Sequence, residues 1–326
     1  KLFFSYIKKS SFFLSGRSAL FAIIKHGVKN HQWKTVYLPT FYCQEVNRYI
    51  KKLPIKISFY DYNPFLESKT KDFNLKDDKS NVVVNVNFFG FDKLDLSVYT
   101  KLFVIEDLTH NLLSISSSIA HYTFGSLRKE LPVPVGGFLN SKNLPIPKGL
   151  VCAEANNIAI QKLTAMYLKS QYLKGKLEDK SLFRKLFLKS EHDLELNLKN
   201  AKMPEIARTI FLQLDILKIL KQKIYNLKIA YDNLKIPKSI IVNQGFKKNS
   251  FGLMLILELK EQRDRLSNHL INNNIYPAIL WPNQKTELNK KIEQQILFIH
   301  IDFRYSEEDI IYITNKINSY FQNEKL

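Results

Sequence analysis

The chain has 326 residues, of which 45% are hydrophobic and 24% charged, and its formal net charge is +19. A chain of this length and apolar content can bury a large core, which argues against wholesale disorder and predicts one large and one small domain. The positive charge favours anionic partners such as phosphates and nucleotides. Nucleic acid is the less favoured partner, because no block of lysines and arginines interleaved with aromatics is present.

The two cysteines, Cys43 and Cys152, belong to no C-x-x-C or Cys/His cluster. Their isolation argues for a reducing compartment and against a disulfide framework or a metal site. The apolar N-terminal run is interrupted by Lys8 and Lys9, and no stretch reaches the ~20 apolar residues that a membrane-spanning helix needs. We therefore expect a cytoplasmic protein without a membrane span.

In the first half of the chain, strands alternate with helices or loops. A helix is predicted to begin around Ser15–Ser18 and to end at Gly27. Short runs rich in β-branched residues predict strands buried on both faces, at 36–38, 82–86, 102–105, 122–124 and 137–139. This alternation predicts an α/β sheet wound with crossover connections.

The second half begins with a long helical pattern from about Ala153 to Leu234, in which Pro204 is one of the few breakers. Strands are then predicted at 252–258 and 296–301, and helices at 261–274 and 307–321. We place the domain boundary after residue 235. Residues 1–235 would form the large domain with a helical bridge, and residues 236–326 a small α+β domain.

Ser126 and Lys129 follow one of the predicted strands. A lysine in a cleft that lowers its pKa becomes a nucleophile toward aldehydes, and a serine three residues earlier can bind a phosphate. The spacing alone is weak, and on that evidence alone a solvated loop lysine in a lysine-rich chain is the favoured interpretation.

Glu106 and Asp107 end another apolar strand. The carboxyl ends of strands in an open α/β sheet line the ligand crevice, where a carboxylate can pair with a protonated ring nitrogen. Successive side chains of a strand point to opposite faces, so only one of the two acids can face a ligand. The competing interpretation is that Asp107 only caps the following loop.

Two glycine-containing segments predict close backbone approaches. Gly16 and Arg17 lie at a helix start, where free N–H groups and the helix dipole favour a phosphate, although an ordinary N-cap would look the same. Gly136 and Gly137 predict a bulge or tight turn beside a ligand.

A phosphate-binding helix start, an acid at a strand end, a lysine about twenty residues later and a Gly-Gly pair occur in the order typical of fold-type-I pyridoxal 5'-phosphate (PLP) enzymes. More narrowly, the chain resembles the DegT/StrS family of sugar aminotransferases. The resemblance is weak only from about 155 to 240. The segments that carry it are Ser15–Ala19, Leu38–Val46, Asn87–Gly90, Val104–His110, Ser126–Gly137, Ile275–Pro282 and Ile301–Ser306.

The resemblance implies a three-layer, aspartate-aminotransferase-like large domain of the PLP-dependent transferases and a small α+β C-terminal domain. Lys129 would carry PLP as a Schiff base and move protons, and Asp107 would pair with the ring nitrogen. His110 would face the ring or its 3'-oxygen, and Tyr42 would lie over the ring. The implied cofactor-binding residues are Gly16, Arg17, Ser18, Tyr42, Asp107, His110, Ser126 and Lys129.

The chain departs from the family pattern at several of these positions. His110 stands where glutamine is usual and adds a titratable group. Cys43 stands where many relatives stack an aromatic on the ring, which leaves the stacking residue open. Arg304 could hold a donor carboxylate or a substrate phosphate, but an ion pair with Asp302 or Glu307 is an equal alternative.

The implied activity is transfer of an amino group from an amino acid, glutamate by expectation, to a keto sugar that we expect to be nucleotide-linked. Such an enzyme would serve cell-surface polysaccharide or related amino-sugar synthesis, as a homodimer with shared active sites. One alternative is a related dehydratase, against which Lys129 argues because those relatives carry histidine instead. Another is a PLP-binding member without catalysis, acting as a regulatory protein.

Overall fold

The computed structural model describes residue 7 and residues 9–66, 73–195, 200–242 and 250–323. Within these ranges seven strands form one sheet in the order β1-β7-β6-β5-β4-β2-β3. The strands are β1 (Ser11–Phe13), β2 (Thr35–Pro39), β3 (Lys56–Tyr60), β4 (Asn81–Val86), β5 (Phe103–Asp107), β6 (Tyr122–Ser126) and β7 (Gly137–Asn140).

Strands β2 to β6 run parallel to their neighbours in this group, whereas β7 is antiparallel to both β6 and β1. Parallel neighbours cannot be joined by a tight hairpin, so each needs a crossover connection. Among the described residues, the α-helices of this half are α1 (Gly16–Asn30) and α2 (Gln44–Ile50). The wound α/β sheet predicted from the sequence is confirmed.

Alternate residues of the strands enter different apolar clusters, so both faces of the sheet are covered. Leu139 of β7 packs in the cluster that contains the apolar side of α1, whereas Phe138 packs with Ala155 and Phe211 from the helices that follow. This arrangement explains why the strand sequences are almost continuously apolar.

In the described part of the helical stretch after residue 150 there are four helices. They are α3 (Ala153–Leu173), α4 (Ser181–Glu195), α5 (Glu205–Gln213) and α6 (Ile216–Asn233). Pro204 is the residue that precedes α5, as the breaker predicted there requires. None of the helices among the described residues is long and apolar enough to cross a membrane.

Three strands among the described C-terminal residues form a second, antiparallel sheet in the order β10-β9-β8. Trp281 and Phe298 of this part pack in the same apolar cluster as Val84 and Val86 of the first sheet, so the two sheets share apolar packing. The boundary after residue 235 therefore stays a prediction. The strands are β8 (Ile241–Val242), β9 (Leu253–Ile256) and β10 (Ile296–Ile299). The helices described in this part are α7 (Lys260–Asn272), α8 (Glu287–Gln295) and α9 (Glu307–Asn323).

The predicted end of the first helix was wrong. Gly27 lies inside α1, which continues to Asn30. A β-carbon at Gly27 would lie 1.9 Å from a ring carbon of Trp33, so this glycine makes room for the indole. Strands β1 and β3 and helices α2 and α8 had no clear signal, because they are short and their burial is set by neighbours distant in sequence.

Candidate active site

Three parallel strands end side by side and supply one wall of a small cavity. Val86 of β4 is paired with Asp107 of β5, and Asp107 with Phe124 of β6. Because parallel strands end at the same edge of a sheet, Asp107 and the residues after Ser126 come together there.

Asp107 is buried and held by two hydrogen-bond donors. The Tyr42 hydroxyl donates to Oδ2 at 2.5 Å, and the Thr109 backbone N–H donates to Oδ1 at 2.9 Å. Burial raises the pKa of Asp107, and the hydrogen bonds from Thr109 and Tyr42 oppose that rise. A carboxylate in this position is stabilised further by any cationic partner that enters the cavity.

Glu106 points to the other side of β5, as strand alternation predicts. Its carboxylate accepts a hydrogen bond from Lys93 Nζ at 3.0 Å and another from the Ser118 hydroxyl. Glu106 is thus occupied by structural partners, and Asp107 is the acid that faces the cavity.

The start of α1 is pressed against the ends of β6 and β7. The Ser15 hydroxyl caps the helix by accepting from Ser18 N–H at 3.1 Å. A β-carbon on Gly16 would lie 3.1 Å from Ser126 N, and one on Gly137 would lie 2.2 Å from the Ser15 carbonyl carbon. The Gly-Gly segment therefore lets the start of α1 pack closely against β7. It was predicted to pass beside a ligand, but its close contact is with the helix start.

Lys129 ends a short 3-10 helix, Leu127–Lys129, directly after β6. The side chain is accessible from the cavities around it, yet the surrounding protein removes much of its hydration. This desolvation, followed by the charge of Arg128, lowers the pKa of Lys129 to about 8. An amine with such a pKa is available as a nucleophile near neutral pH.

The cavity between these groups has a volume of about 260 Å³. Asp107 and Lys129 both line it, so the structure brings together the two groups that the sequence assigns to opposite ends of one ring. Of the predicted cofactor-binding residues, those that line the cavity are Gly16, Arg17, Tyr42, Asp107, His110, Ser126 and Lys129.

Ser18 is the predicted residue that does not line this cavity. It is buried inside the first turn of α1, where its amide and hydroxyl both contact the Ser15 hydroxyl. A direct contact of its side chain with a cofactor phosphate is therefore a poor match to the structure, since the first turn points it toward the cap.

A wider cavity of about 1310 Å³ adjoins the first. Arg304 lines this wider cavity, and its guanidinium is bound to the Asp302 carboxylate, with Nη2 to Oδ2 at 2.6 Å. The ion pair that competed with a substrate role for Arg304 is thus present. The described residues that line both cavities are His110, Arg128, Lys129, Glu191 and Leu280.

His110 is buried in a stack of aromatic rings. Its imidazole is nearly parallel to Phe251 at a centroid distance of 4.1 Å and to Phe89 at 5.2 Å. Burial, followed by the charges of Lys129 and Lys223, holds the pKa of His110 well below its usual value. The imidazole of His110 is therefore a neutral ring that can still donate one hydrogen bond.

Tyr42 was predicted to lie over a cofactor ring, and it does line the small cavity. Its hydroxyl is fixed by Asp107, and its ring meets Trp281 edge to face at 5.7 Å. The structure thus adds a contact with the acid to the predicted contact with the ring, and the stacking role stays a prediction.

Several residues of the site were missed in the sequence. Thr109 could have been found, because a residue two positions after an aspartate commonly donates its N–H to that carboxylate. Glu191 and Lys162 could not, because they lie on α4 and α3, in the part of the chain where the resemblance is weak.

No protein-family model and no curated protein matches the chain. Solved structures do match. Spr1654 of Streptococcus pneumoniae, described as a sugar aminotransferase, aligns in its PMP form with a TM-score of 0.65, 12% identity and coverage of 98% of this chain and 88% of that one. DesI with its TDP-sugar product aligns with a TM-score of 0.63, 13% identity and coverage of 97% and 81%. A DegT/DnrJ/EryC1/StrS aminotransferase from Brucella abortus aligns with a TM-score of 0.56, 14% identity and coverage of 96% and 86%.

The chain has the fold-type-I fold of PLP-dependent enzymes. The fold class predicted from the sequence is thereby confirmed. In this fold-type-I chain the small cavity also passes a chemical test for PLP. A helix start and Arg17 suit a phosphate, Asp107 suits a protonated ring nitrogen, and Lys129 suits an aldehyde.

Proposed function

We propose that the chain is a PLP-dependent aminotransferase that transfers an amino group to a keto sugar. The observation that carries the proposal is the common cavity of Asp107 and Lys129, which also includes the start of α1. Many proteins have a lysine of lowered pKa, but a buried acid and a phosphate-binding helix start in the same cavity restrict the ligand much further.

The residues that would hold PLP follow from the chemistry of its parts. The backbone N–H groups of Gly16 and Arg17, with the Ser126 hydroxyl, would bind the phosphate. Asp107 would pair with the ring nitrogen, and Lys129 would bond to the aldehyde carbon. When bound, PLP withdraws electrons from the substrate carbon that bears the amine.

The chain's own groups supply the proton chemistry and the setting. Lys129, with a pKa of about 8, can both give up and accept a proton near neutral pH. Asp107, whose carboxyl group is oriented by Tyr42 and Thr109, would pair with the protonated ring nitrogen. The stacked rings around His110 exclude water from that side of the cavity.

Support for an anionic substrate comes from the wider cavity, whose basic residues include Lys162, Lys169, Lys174 and Arg304. Such a lining would attract the diphosphate of a nucleotide-linked keto sugar. DesI, which has a similar fold, holds a TDP-sugar product. We infer glutamate as the amino donor, a role in cell-surface polysaccharide or related amino-sugar synthesis, and a homodimer with shared active sites.

The first test is covalent capture of the cofactor. Purified protein is incubated with PLP, reduced with borohydride and digested, and the modified peptide is mapped by mass spectrometry. We expect the label at Lys129, none in Lys129→Ala, and normal labelling in the surface variant Lys290→Ala. Equal labelling of wild type and Lys129→Ala would contradict the proposal.

The second test is turnover. The PLP-loaded protein should release a keto acid from glutamate in the absence of a sugar, and then aminate a nucleotide-linked keto sugar, with ping-pong kinetics. A protein that captures PLP at Lys129 but turns over neither substrate would be a binder, which would refute the transferase activity and leave the cofactor site standing.

A further inference from the structure

Lys129 is preceded by an arginine that belongs to a compact ionic group. Both terminal nitrogens of Arg128 contact the Glu191 carboxylate at 3.1 Å, in a two-point pair. Lys162 Nζ also contacts Glu191 Oε1. We refer to these three side chains, from the Lys129 loop, α3 and α4, as the Arg128 cluster.

The Arg128 cluster contains a partly buried arginine, a buried lysine and one carboxylate. The side chains of Arg128 and Lys162 are 18% and 8% exposed, whereas Glu191 is 41% exposed. Burial, with Arg128 as the next cause, lowers the pKa of Lys162 to about 8, so Glu191 does not fully compensate the two cations. A desolvated excess of positive charge stabilises an anion that can reach it.

The guanidinium also retains hydrogen-bond donors. A guanidinium has five N–H groups, and the two-point pair with Glu191 uses two of them. Arg128 Nε is buried and has no acceptor among the residues that the structure describes. Three of the five N–H groups of Arg128 are therefore not used by Glu191.

The position of Arg128 restricts which part of a substrate it can meet. Arg128, Lys129 and Glu191 line both cavities, so they lie where the small cavity opens into the wider one. In an amino acid the α-carboxylate is bonded to the carbon that carries the reacting amine. Its partner must therefore lie within a side chain's reach of Lys129.

Arg304, the guanidinium that the sequence suggested for this task, meets that condition less well. Among the lining residues described, it belongs to the wider cavity only, and Asp302 already occupies its donors through Nε and Nη2. Arg128 is paired with Glu191 in a similar way, so its position next to Lys129, and not the pairing, favours Arg128 over Arg304.

We propose that the Arg128 cluster binds the α-carboxylate of the amino donor, with Arg128 as the two-point partner and Lys162 as the second cation. A planar guanidinium matches the geometry of a carboxylate, which a lysine alone cannot do. This inference rests on the proposed aminotransferase activity and names the residues that recognise its donor.

The test compares two amines that differ in the carboxylate. PLP-loaded protein is mixed with L-glutamate or with propylamine, and the rate of the change in cofactor absorbance is measured. Arg128→Met should lower the ratio of the glutamate rate to the propylamine rate about 100-fold, because any change in the pKa of Lys129 affects both amines and cancels in the ratio. Arg128→Lys keeps the positive charge but not the planar, two-point geometry. It should recover only part of the glutamate-to-propylamine ratio that Arg128→Met loses.

Two further arginine variants separate the explanations. Arg263→Met removes a buried guanidinium that is paired with Asp264 and lies outside both cavities, and it should leave the glutamate-to-propylamine ratio as in wild type. Arg304→Met tests the rival site. If Arg304→Met lowers the ratio and Arg128→Met does not, the proposal is overturned.

A measurement without the cofactor distinguishes failure of this inference from failure of the proposed function. Glutarate, a dicarboxylate without an amine, should raise the melting temperature of the cofactor-free wild type but not that of Arg128→Met. PLP affinity is measured in parallel. A contrary outcome is that Arg128→Met weakens PLP binding and leaves the ratio of the glutamate rate to the propylamine rate unchanged. In that case the cluster binds the cofactor phosphate instead, and the inference fails. If wild type takes up no PLP, the proposed function fails, and the glutarate result still decides the anion site.

Discussion

The two ends of the small cavity hold their ionisable groups in opposite ways. Asp107 is buried and fixed by Tyr42 and Thr109, whereas Lys129 is accessible and stands where two cavities meet. In both cases the folded chain disfavours the charged form. Burial raises the pKa of Asp107. Loss of hydration to the surrounding protein, followed by the charge of Arg128, lowers the pKa of Lys129.

This difference separates a rigid end from a reactive end. The acid has to hold one ring atom in place, so its hydrogen bonds are made before any ligand arrives. The amine has to bond, release and move protons, so it needs space and a moderate pKa. Both groups reduce the stability of the free protein, which is the pattern expected where function and stability compete.

The largest effect should come from Asp107→Asn. Without the carboxylate the ring nitrogen loses the partner that keeps it protonated, and we expect kcat to fall on the order of 10²–10³-fold. The matched control is Glu106→Gln, one residue earlier and on the opposite face, which should keep most of the activity. Its cost should be about 1–3 kcal/mol of stability, because Lys93 loses its charged partner. Similar losses of kcat in the two variants would show that the faces of β5 are not divided as described.

Gly137→Ala tests the rigid support at the helix start. Its β-carbon would lie 2.2 Å from the Ser15 carbonyl carbon, so α1 must shift. We expect a loss of about 1–3 kcal/mol in the free energy of unfolding, with a weaker affinity for PLP measured by titration. In Gly175→Ala nothing lies within 4 Å of the new β-carbon. Because Gly175 has a left-handed backbone conformation, this control should lower the free energy of unfolding by about 1–2 kcal/mol. It should leave the affinity for PLP unchanged.

Lys129→Met should stabilise the cofactor-free protein in a pH-dependent way. The pKa of Lys129 falls from 10.5 to about 8 on folding, so the unfolded chain binds more protons between these values. The penalty is therefore complete below pH 8 and disappears as the pH rises toward 10.5. The melting temperature of Lys129→Met should exceed that of wild type at pH 7, and the difference should shrink at pH 10. A constant difference would mean that the lysine acts through packing alone.

The smallest effect should come from Tyr42→Phe. It removes one of the hydrogen bonds that oppose the rise in the pKa of Asp107, so the acid would be harder to ionise. We expect a loss of about 0.5–1.5 kcal/mol in PLP binding, larger at low pH than at high pH. Tyr60→Phe also removes a buried phenol, one that donates to the Val84 carbonyl, and should leave PLP binding as it is.

The sequence predicted the parallel sheet well, and it indicated which strand ends would lie together. Strands of β-branched residues that are buried on both faces have a distinctive composition, and parallel strands place their carboxyl ends on one edge. The acid at the end of β5 and the lysine after β6 were therefore expected to meet there. Helix ends were predicted less well, because Gly27 is required by the indole of Trp33 rather than by a helix end.

Whether a predicted binding residue is available for a ligand depends on what its side chain contacts in the folded chain. Ser18 has the residue type of a phosphate ligand, but the Ser15 cap occupies it. Arg304 has the residue type of a carboxylate clamp, but Asp302 occupies it. A residue type shows what a side chain can bind, and only the neighbouring atoms decide whether it is available.

The sequence by itself determined which reactive groups the protein has and in what order they occur: a helix start for a phosphate, an acid at a strand end and a lysine after the next strand. The tertiary structure alone decided that Lys162 and Glu191, from two helices distant in sequence, surround Arg128 where the cavities meet. Strand periodicity is a local property of the chain and can be read from neighbouring residues. An ionic cluster is formed by segments that are brought together only when the core packs, so it has no local pattern.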